Sequence, residues 1–349
     1  MNRTRDIFSQ AKAIYNNCAD ELSKTIYMDK VLYAMSGDER YTYKHIEDSL
    51  TNLFTSGRVD VIKTFNKVVI YGAGDNLDIV FGFCQNNNIQ ISYICDKDEN
   101  KQGKEYKNIE IISPDNLVKN HLDAVIIIST TLYLTEVKAF LRLYFKEEQI
   151  IPFVDEKHIE YMKLQYFDEV VKLEDGEIFV DGGCFDFETS ELLLDRCRAE
   201  KIYAFEPDSI NLKKVQDKVN KTGFSNVEII HAGMWDCNTI LHFNTQGSIM
   251  SRVDENGKNE IEVVAIDEVI DGKVTFIKMD IEGSELKALH GAEKTIMRDK
   301  PKLAISIYHK LEDILDIPAY IHHLVPEYKF YIRHYSLNAA ETILYAIYD

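Results

Sequence analysis

The sequence lacks the patterns that mark secreted, zinc-stabilised or membrane-spanning proteins. Its six cysteines include no C-x-x-C pair, and no histidine lies at zinc-ligand spacing from them, so neither a structural zinc site nor a redox dithiol is indicated. We expect reduced, mostly buried thiols in an intracellular protein. The N-terminus has no apolar signal segment, and the longest purely aliphatic run, residues 124–128, is far too short for a membrane span. The expected location is the cytoplasm.

The sequence also has fewer basic residues than acidic ones. The chain has 40 Lys and Arg against 58 Asp and Glu, a net charge of -18. A protein that binds nucleic acid needs basic side chains to neutralise phosphates, so DNA and RNA are not expected as partners. We find no internal repeat and no low-complexity tract. The expected partner is a small molecule, and the oligomeric state is not encoded in any readable pattern.

Hydrophobic periodicity divides the 349 residues into four segments. They are a helical N-terminal region at 1–65, a small Rossmann-like α/β domain at 66–155, a linker helix within 156–175, and a larger α/β domain at 176–349. In the first segment, apolar residues recur at helical spacing in two places. These are Ile7, Ala11, Ile14 and Cys18, followed by Tyr43, Ile46, Leu50 and Leu53.

The larger domain is predicted to be a mostly parallel sheet, because short apolar runs alternate with amphipathic helical stretches. The candidate strands are Ile178–Asp181, Lys201–Glu206, Val227–His231, Thr275–Asp280 and Leu303–Tyr308. Two later runs, Lys329–Tyr335 and Thr342–Tyr348, have no helix between them and predict an antiparallel pair at the sheet edge. The fold class is therefore α/β, with two Rossmann-like domains.

The first strand of the larger domain ends in an acid and two glycines, Asp181, Gly182 and Gly183, and the second strand ends in Glu206. Glycines let a ligand approach the backbone, and an acid at the end of the second strand can accept hydrogen bonds from a ribose diol. No cluster of basic or glycine-borne amides for a pyrophosphate is evident. This favours a cofactor with a ribose and a charged amino-acid tail, whose ammonium would suit Asp181.

The fourth strand ends at Asp280, where ligands of open α/β sheets bind. Gly283 gives a tight turn into the next helix, and Glu282 and Glu285 lie in or beside its first turn. Acids are favoured there by the helix dipole, so Glu285 is interpreted as a first-turn helix acid. Asp280 is harder to explain structurally, because an acid at the end of a core strand needs a partner.

These segments resemble the motifs of the FkbM family of methyltransferases, over about residues 170 to 349 and in the correct order. The matching segments are Val180-Asp181-Gly182-Gly183, Ala204-Phe205-Glu206-Pro207-Asp208, residues 278–285, residues 305–310, Glu312-Asp313, Ile317-Pro318, Arg333-His334-Tyr335 and Glu341-Thr342. The family methylates hydroxyls of sugars and natural products. The resemblance implies a class I methyltransferase sheet, S-adenosylmethionine as cofactor and a small-molecule or glycan acceptor.

The resemblance also implies residue roles. The turn from Asp181 through Gly182, Gly183, Cys184 and Phe185 would bracket the methionine part of the cofactor. Glu206, with Pro207 and Asp208 beside it, would hold the ribose. The turn of Gly233, Met234, Trp235 and Asp236 would lie near the adenine, and Asp280 would border the same cleft. The chain departs from the family at Phe187, where a glycine is common and where a ring would narrow the space beside the cofactor.

Methyl transfer to a hydroxyl needs a base or a metal to remove the hydroxyl proton. Asp280, Glu282 and His309 follow core strands at the same sheet edge. We expect His309 or Asp280 to be the base, with Glu282 orienting the acceptor, because an imidazole with a pKa of about 6.5 suits base catalysis at neutral pH. An acidic cluster can also hold Mg²⁺, which the sequence leaves open.

The small domain carries a second nucleotide-like pattern, Gly72-Ala73-Gly74 with Asp96 at the end of the next strand. The third glycine of G-x-G-x-x-G is missing, because Leu77 occupies its position. A nucleotide or nucleotide-sugar ligand and a purely structural module are both open here. Two further alternatives are an NAD-linked oxidoreductase that uses this domain and a non-catalytic nucleotide-binding protein.

Overall fold

The computed structural model describes residues 2–38, 41, 58–74, 76–154, 156–223, 225–243, 259–336 and 339–348. The chain divides into two compact units. The smaller unit is residues 42–163, and the larger unit combines residues 1–41 with 164–349. The predicted helix through Tyr43, Ile46, Leu50 and Leu53 lies outside the described residues.

The smaller unit is built on a mainly parallel sheet. Its strands are β1 (Val68–Tyr71), β2 (Tyr93–Cys95), β3 (Glu105–Tyr106), β4 (Ile109–Ile112), β5 (Val125–Ile128) and β6 (Ile150–Pro152). Their order is β3-β4-β2-β1-β5-β6, and only β3 pairs with its neighbour in antiparallel fashion among the described strands. The α-helices are Arg58–Lys63, Leu77–Asn86, Pro114–Asn120, Leu134–Leu141 and Glu156–Met162, and Glu147–Gln149 forms a 3₁₀ turn. β1 and β5 lie inside the sheet, and every residue of both strands is buried, as parallel strands covered on both faces require.

The larger unit contains a seven-stranded sheet in the order β15-β16-β14-β13-β7-β8-β9. These strands are β7 (Glu177–Gly182), β8 (Ala199–Phe205), β9 (Val227–Ile230), β13 (Phe276–Met279), β14 (Lys302–Ser306), β15 (Lys329–His334) and β16 (Thr342–Ile347). A small sheet of β10 (Gly233–Met234), β11 (Thr239–Phe243) and β12 (Asn259–Val264) lies between them in sequence. The predicted antiparallel edge is confirmed, because β16 pairs with both β14 and β15 in antiparallel register.

The helices of the larger unit are Asn2–Asn17, Glu21–Ser36, Glu188–Leu194, Ser209–Thr222, Ile266–Val269, Glu285–His290, Glu293–Asp299 and Asp313–Leu324. The helices Glu285–His290 and Glu293–Asp299 are separated by a bend at Gly291. A Cβ at that position would lie 1.9 Å from the carbonyl oxygen of Trp235, so the chain bends where two backbones meet. The helix Asp313–Leu324, which contains Pro318, was not predicted.

The first two helices, Asn2–Asn17 and Glu21–Ser36, belong to the same compact unit as residues 164–349. The amide of Ala19 donates to the carbonyl of Phe330 over 2.8 Å, and Asn17 donates to the carbonyl of Tyr328 over 2.8 Å. The guanidinium of Arg333 lies 2.7 Å from the carboxylate of Asp20. These contacts attach the first two helices to β15.

Four neighbouring strands, β14, β13, β7 and β8, run parallel, so their carboxyl ends meet at one edge of the sheet. Loops at this edge carry the predicted site residues, as expected for open α/β sheets. Among the described helices, none is long and apolar enough to cross a lipid bilayer.

Candidate functional site

Asp181, at the end of β7, forms a buried ion pair with Lys278 of β13. Residues 181 and 278 are paired in the sheet register, and the Lys278 Nζ lies 3.1 Å from Asp181 Oδ1. The Ser190 hydroxyl donates to the other carboxylate oxygen over 2.7 Å. Because Asp181 is fully buried, its carboxylate does not face an open cleft. In the structure Asp181 thus pairs with Lys278 and Ser190, and its predicted contact with the ammonium of a cofactor tail stays a prediction.

Lys278 also holds the turn after β7. Its ammonium donates to the carbonyl oxygens of Gly182 and Gly183 over 3.0 and 2.9 Å. Burial alone would lower the pKa of Lys278, but the charges of Asp181 and Asp280 outweigh burial and raise it. The ammonium therefore stays charged and fixes the backbone of the glycine turn.

The two glycines are required by the packing of the protein itself. A Cβ on Gly183, which has a φ of +72°, would lie 2.1 Å from the carbonyl oxygen of Asp280. A Cβ on Gly182 would lie 2.4 Å from the sulfur of Met234. The two glycines thus allow β7 and the loop after β13 to pack closely against each other. The sequence alone indicated room for a ligand at this turn.

The turn from Cys184 to Phe187 presents its backbone at the sheet edge. Phe185 and Phe187 have φ values of 50° and 73°, in the left-handed region. Cys184 and Phe187 are buried, whereas 47% of Phe185 is exposed. The ring of Phe187 therefore packs into the core, and the predicted narrowing of the cofactor space by this ring is wrong.

Glu206 follows β8 and is held by backbone amides. Its Oε2 accepts from Phe185 N over 3.0 Å, and its Oε1 accepts from Asp208 N over 2.8 Å. Burial raises the pKa of Glu206, and the hydrogen bonds from the two backbone amides offset part of this effect. The Asn211 side chain also hydrogen-bonds to this carboxylate. Since a carboxylate has about four acceptor positions, Glu206 can still accept a hydrogen bond from a ribose hydroxyl.

The turn after β9 lies beside Glu206. A Cβ on Gly233 would be 3.9 Å from Pro207, which follows Glu206 directly. Met234 is buried against Gly182, whereas Trp235 is half-buried and Asp236 pairs with Lys287 over 2.7 Å. Trp235 and Asp236 are therefore the partly exposed side chains of this turn, and their predicted place near an adenine stays a prediction.

Asp280, at the end of β13, accepts hydrogen bonds from two tyrosines. The hydroxyl of Tyr166 donates to Oδ2 over 2.5 Å, and the hydroxyl of Tyr308 donates to Oδ1 over 3.2 Å. The Tyr308 hydroxyl also lies 3.5 Å from Glu341, whose other oxygen accepts from Gln165. Since 23% of the Asp280 side chain is exposed, this carboxylate is accessible from the sheet edge.

The loop after β13 brings two more acids to His309. Glu282 and Gly283 both adopt left-handed backbone, with φ values of 57° and 89°. Glu285 turns back so that its Oε1 accepts from Ile281 N over 2.8 Å. His309 Nδ1 lies 2.9 Å from Glu285, and its Nε2 lies 3.4 Å from Asp280 and 3.7 Å from Glu282.

The predicted catalytic residues Asp280, Glu282 and His309 are thus brought together, but His309 is not an ordinary imidazole. Burial favours its neutral form, yet the bond to Glu285 and the charges of the three acids outweigh burial and raise the pKa of His309 to about 9. A ring that is protonated at neutral pH does not accept a proton. The structure therefore argues against His309 as the base.

Several residues of this site were not predicted: Tyr166, Lys278, Glu285, Tyr308 and Glu341. The sequence did contain a signal for Lys278, because a lysine within an apolar strand needs a buried partner. Glu285 had been interpreted as a helix acid only. Tyr166 and Glu341 carry no comparable signal, because their proximity to Asp280 and Tyr308 depends on tertiary contacts between distant segments.

In the smaller unit, the Gly72-Ala73-Gly74 turn is hydrogen-bonded to Asp96 and packed against Ser129. The Asp96 carboxylate accepts from Ala73 N over 2.6 Å and from Asp98 N over 2.8 Å. A Cβ on Gly72 would lie 2.5 Å from the Ser129 hydroxyl. The glycine is thus explained by packing, and a nucleotide ligand of this unit stays a prediction.

The fold is that of class I methyltransferases. The structure of methyltransferase FkbM from Methylobacillus flagellatus KT is similar to this chain, with a TM-score of 0.50 and 22% identity over 86% of this chain and 97% of that one. An rRNA methylase from Streptococcus thermophilus matches 54% of this chain and 92% of its own length, with 18% identity and a TM-score of 0.34. Fibrillarin from Aeropyrum pernix, with natively bound S-adenosyl-L-methionine, matches 54% of this chain and 74% of its own length, with 10% identity and a TM-score of 0.35.

Residues 180–330 match the family model described as the methyltransferase FkbM domain. Residues 180–330 therefore form a methyltransferase FkbM domain, and the protein is an S-adenosylmethionine-dependent methyltransferase. Residues 64–151 match a second model, described as C2185-like, N-terminal. A comparison with curated proteins finds no match.

Proposed function

We propose that the protein methylates a hydroxyl group of a sugar, a glycoconjugate or a related natural product. The observation that carries this proposal is the arrangement of Asp280, an accessible carboxylate at the cofactor edge of the sheet that receives two tyrosine hydroxyls. These two donors orient the carboxylate, which has lone pairs left to accept a proton. A hydroxyl is a poor nucleophile until its proton leaves, whereas many nitrogen acceptors need no such base.

Glu206 would hold the ribose of the cofactor, and the backbone from Gly182 to Phe185 would border the methionine part. When bound, S-adenosylmethionine supplies an electrophilic methyl group on a sulfonium, which becomes a neutral thioether after transfer. Asp280 would take the proton of the acceptor hydroxyl, so that its oxygen could form a bond to the methyl carbon in place of the carbon–sulfur bond. Tyr166 and Tyr308 orient the carboxylate, and Glu282, at the exposed side, orients the acceptor.

The test is transfer of tritiated methyl from S-adenosylmethionine to a panel of hydroxyl acceptors, including nucleotide sugars and oligosaccharides. Asp280→Asn keeps the shape of the side chain but is a far weaker base, so kcat should fall by about 10²- to 10⁴-fold while cofactor affinity is kept. Glu200→Gln, which changes an exposed carboxylate of β8, is the matched control and should retain activity.

Two results would overturn the proposal. One is undiminished transfer by Asp280→Asn. The other is a product in which mass spectrometry places the methyl group on nitrogen or carbon. The alternative of an NAD-linked oxidoreductase is tested in the same preparation by isothermal titration with NAD and with S-adenosylmethionine.

A further inference from the structure

The cluster around His309 contains more negative charge than the described side chains neutralise. Asp280, Glu282 and Glu285 all lie within 3.7 Å of a ring nitrogen of His309, which carries at most one positive charge. Two lysines lie nearby. The charge of Lys278 interacts with Asp280 as well as with its ion-pair partner Asp181, and the Lys310 ammonium donates to the carbonyl of Gly283. The cluster therefore retains a net negative charge inside a largely buried site.

A second observation concerns the other carboxylate oxygen of Glu285. The side chain is fully buried, and its Oε2 has no hydrogen-bond partner among the residues that the structure describes. Leaving a buried charged acceptor unsatisfied costs more than leaving a neutral one unsatisfied. An ordered cation beside this oxygen would remove that penalty.

The ligand atoms also have a suitable spacing. Asp280, Glu285 and His309 each place one oxygen or nitrogen within 4.8 Å of the others. In an octahedral site with bonds of about 2.1 Å, ligand atoms on opposite sides of the ion are roughly 4.2 Å apart. We infer that Asp280, Glu285 and His309 form a binding site for a divalent cation of the Mg²⁺ or Mn²⁺ type, with Glu282 as a ligand from the exposed side.

Carboxylate oxygens with one imidazole are a donor set that accepts Mn²⁺. The inference shares residues with the proposed function but does not depend on it. If the proposed function holds, the cation would lie beside the acceptor hydroxyl and lower its pKa, which helps the proton to leave.

The test uses the full-length protein after treatment with EDTA. Mn²⁺ is added in steps, and free Mn²⁺ is followed by its electron paramagnetic resonance signal. We expect one Mn²⁺ per chain, with competition by Mg²⁺. Asp280→Asn and Glu285→Gln should weaken binding at least about ten-fold, and Glu200→Gln should bind as the wild type does.

Circular dichroism and titration with S-adenosylmethionine show whether each variant is folded. Because Glu285 is buried, Glu282→Gln provides a variant at an exposed ligand, and we expect weaker Mn²⁺ binding there as well. Absence of Mn²⁺ binding by the folded wild type, or equal binding by wild type and folded Asp280→Asn, would overturn the inference. Neither result would bear on cofactor binding or on methyl transfer, which are measured separately.

Discussion

The ammonium of Lys278 lies 3.1 Å from the carboxylate of Asp181, and neither side chain is more than 3% exposed. The pair connects adjacent strands β13 and β7 at the point where both end. Through its bonds to Gly182 and Gly183, Lys278 also fixes the turn that borders the proposed cofactor site. A charge pair in the sheet core thus determines the backbone geometry of a functional edge.

Lys278→Met should strongly destabilise the protein, because it leaves the Asp181 charge buried without its partner. The expected loss is about 3–5 kcal/mol in the free energy of unfolding. Urea denaturation measures it, and the double variant Lys278→Met/Asp181→Asn should recover part of the loss. Lys213→Met, at an exposed lysine, is the control and should change stability by no more than about 0.5 kcal/mol. Wild-type stability of Lys278→Met would contradict the structural role of the pair.

Glu206→Gln should weaken binding of S-adenosylmethionine. Glutamine loses the charge, and its NH₂ group must face one of the two backbone amides that now donate to Glu206. Hydrogen bonds to a charged group are worth about 1.5–3 kcal/mol, so affinity should fall by roughly 10- to 100-fold. Isothermal titration measures the change. An unaltered affinity would place the ribose elsewhere.

The strands of the larger unit and the acids at their ends could be predicted from the sequence, because apolar runs ending in Asp181, Glu206 and Asp280 are local patterns. The partners of these acids could not. Lys278 meets Asp181 through the register of two strands, and Tyr166 meets Asp280 across 114 positions of sequence. A carboxylate at a strand end therefore indicated which edge of the sheet carries the site. Tertiary contacts decide whether that carboxylate faces a ligand or a lysine.

Phe187 combines a left-handed backbone with a fully buried ring, and two substitutions separate these effects. Phe187→Ala removes the ring but keeps a Cβ at a φ of 73°, so the cost should be about 3–5 kcal/mol. Phe187→Gly removes the ring and also relieves the backbone strain, which is worth about 1–2 kcal/mol. We expect the glycine variant to be the more stable of the two in urea denaturation. The reverse order would show that the left-handed backbone is not strained here.

The ion pair between Asp20 and Arg333 should make the attachment of the N-terminal helices dependent on pH. Burial alone would raise the pKa of Asp20, but hydrogen bonds from Arg333 and Ser23 outweigh burial and lower it. A carboxyl with a lowered pKa in the folded state stabilises the protein above its unfolded pKa of about 3.9, and the stabilisation is lost as the pH falls through the folded value.

Asp20→Asn tests this charge alone, because asparagine is an equally good N-cap for the helix Glu21–Ser36. At pH 7 the variant should be less stable by roughly 0.5–1 kcal/mol, a modest value since 35% of the Asp20 side chain is exposed. The difference should shrink as the pH falls below about 4. Denaturation curves of both proteins between about pH 3 and pH 7 measure this difference in stability on both sides of the Asp pKa. A difference that stays constant over this range would mean that the Asp20 charge contributes nothing and that the loss comes from altered packing.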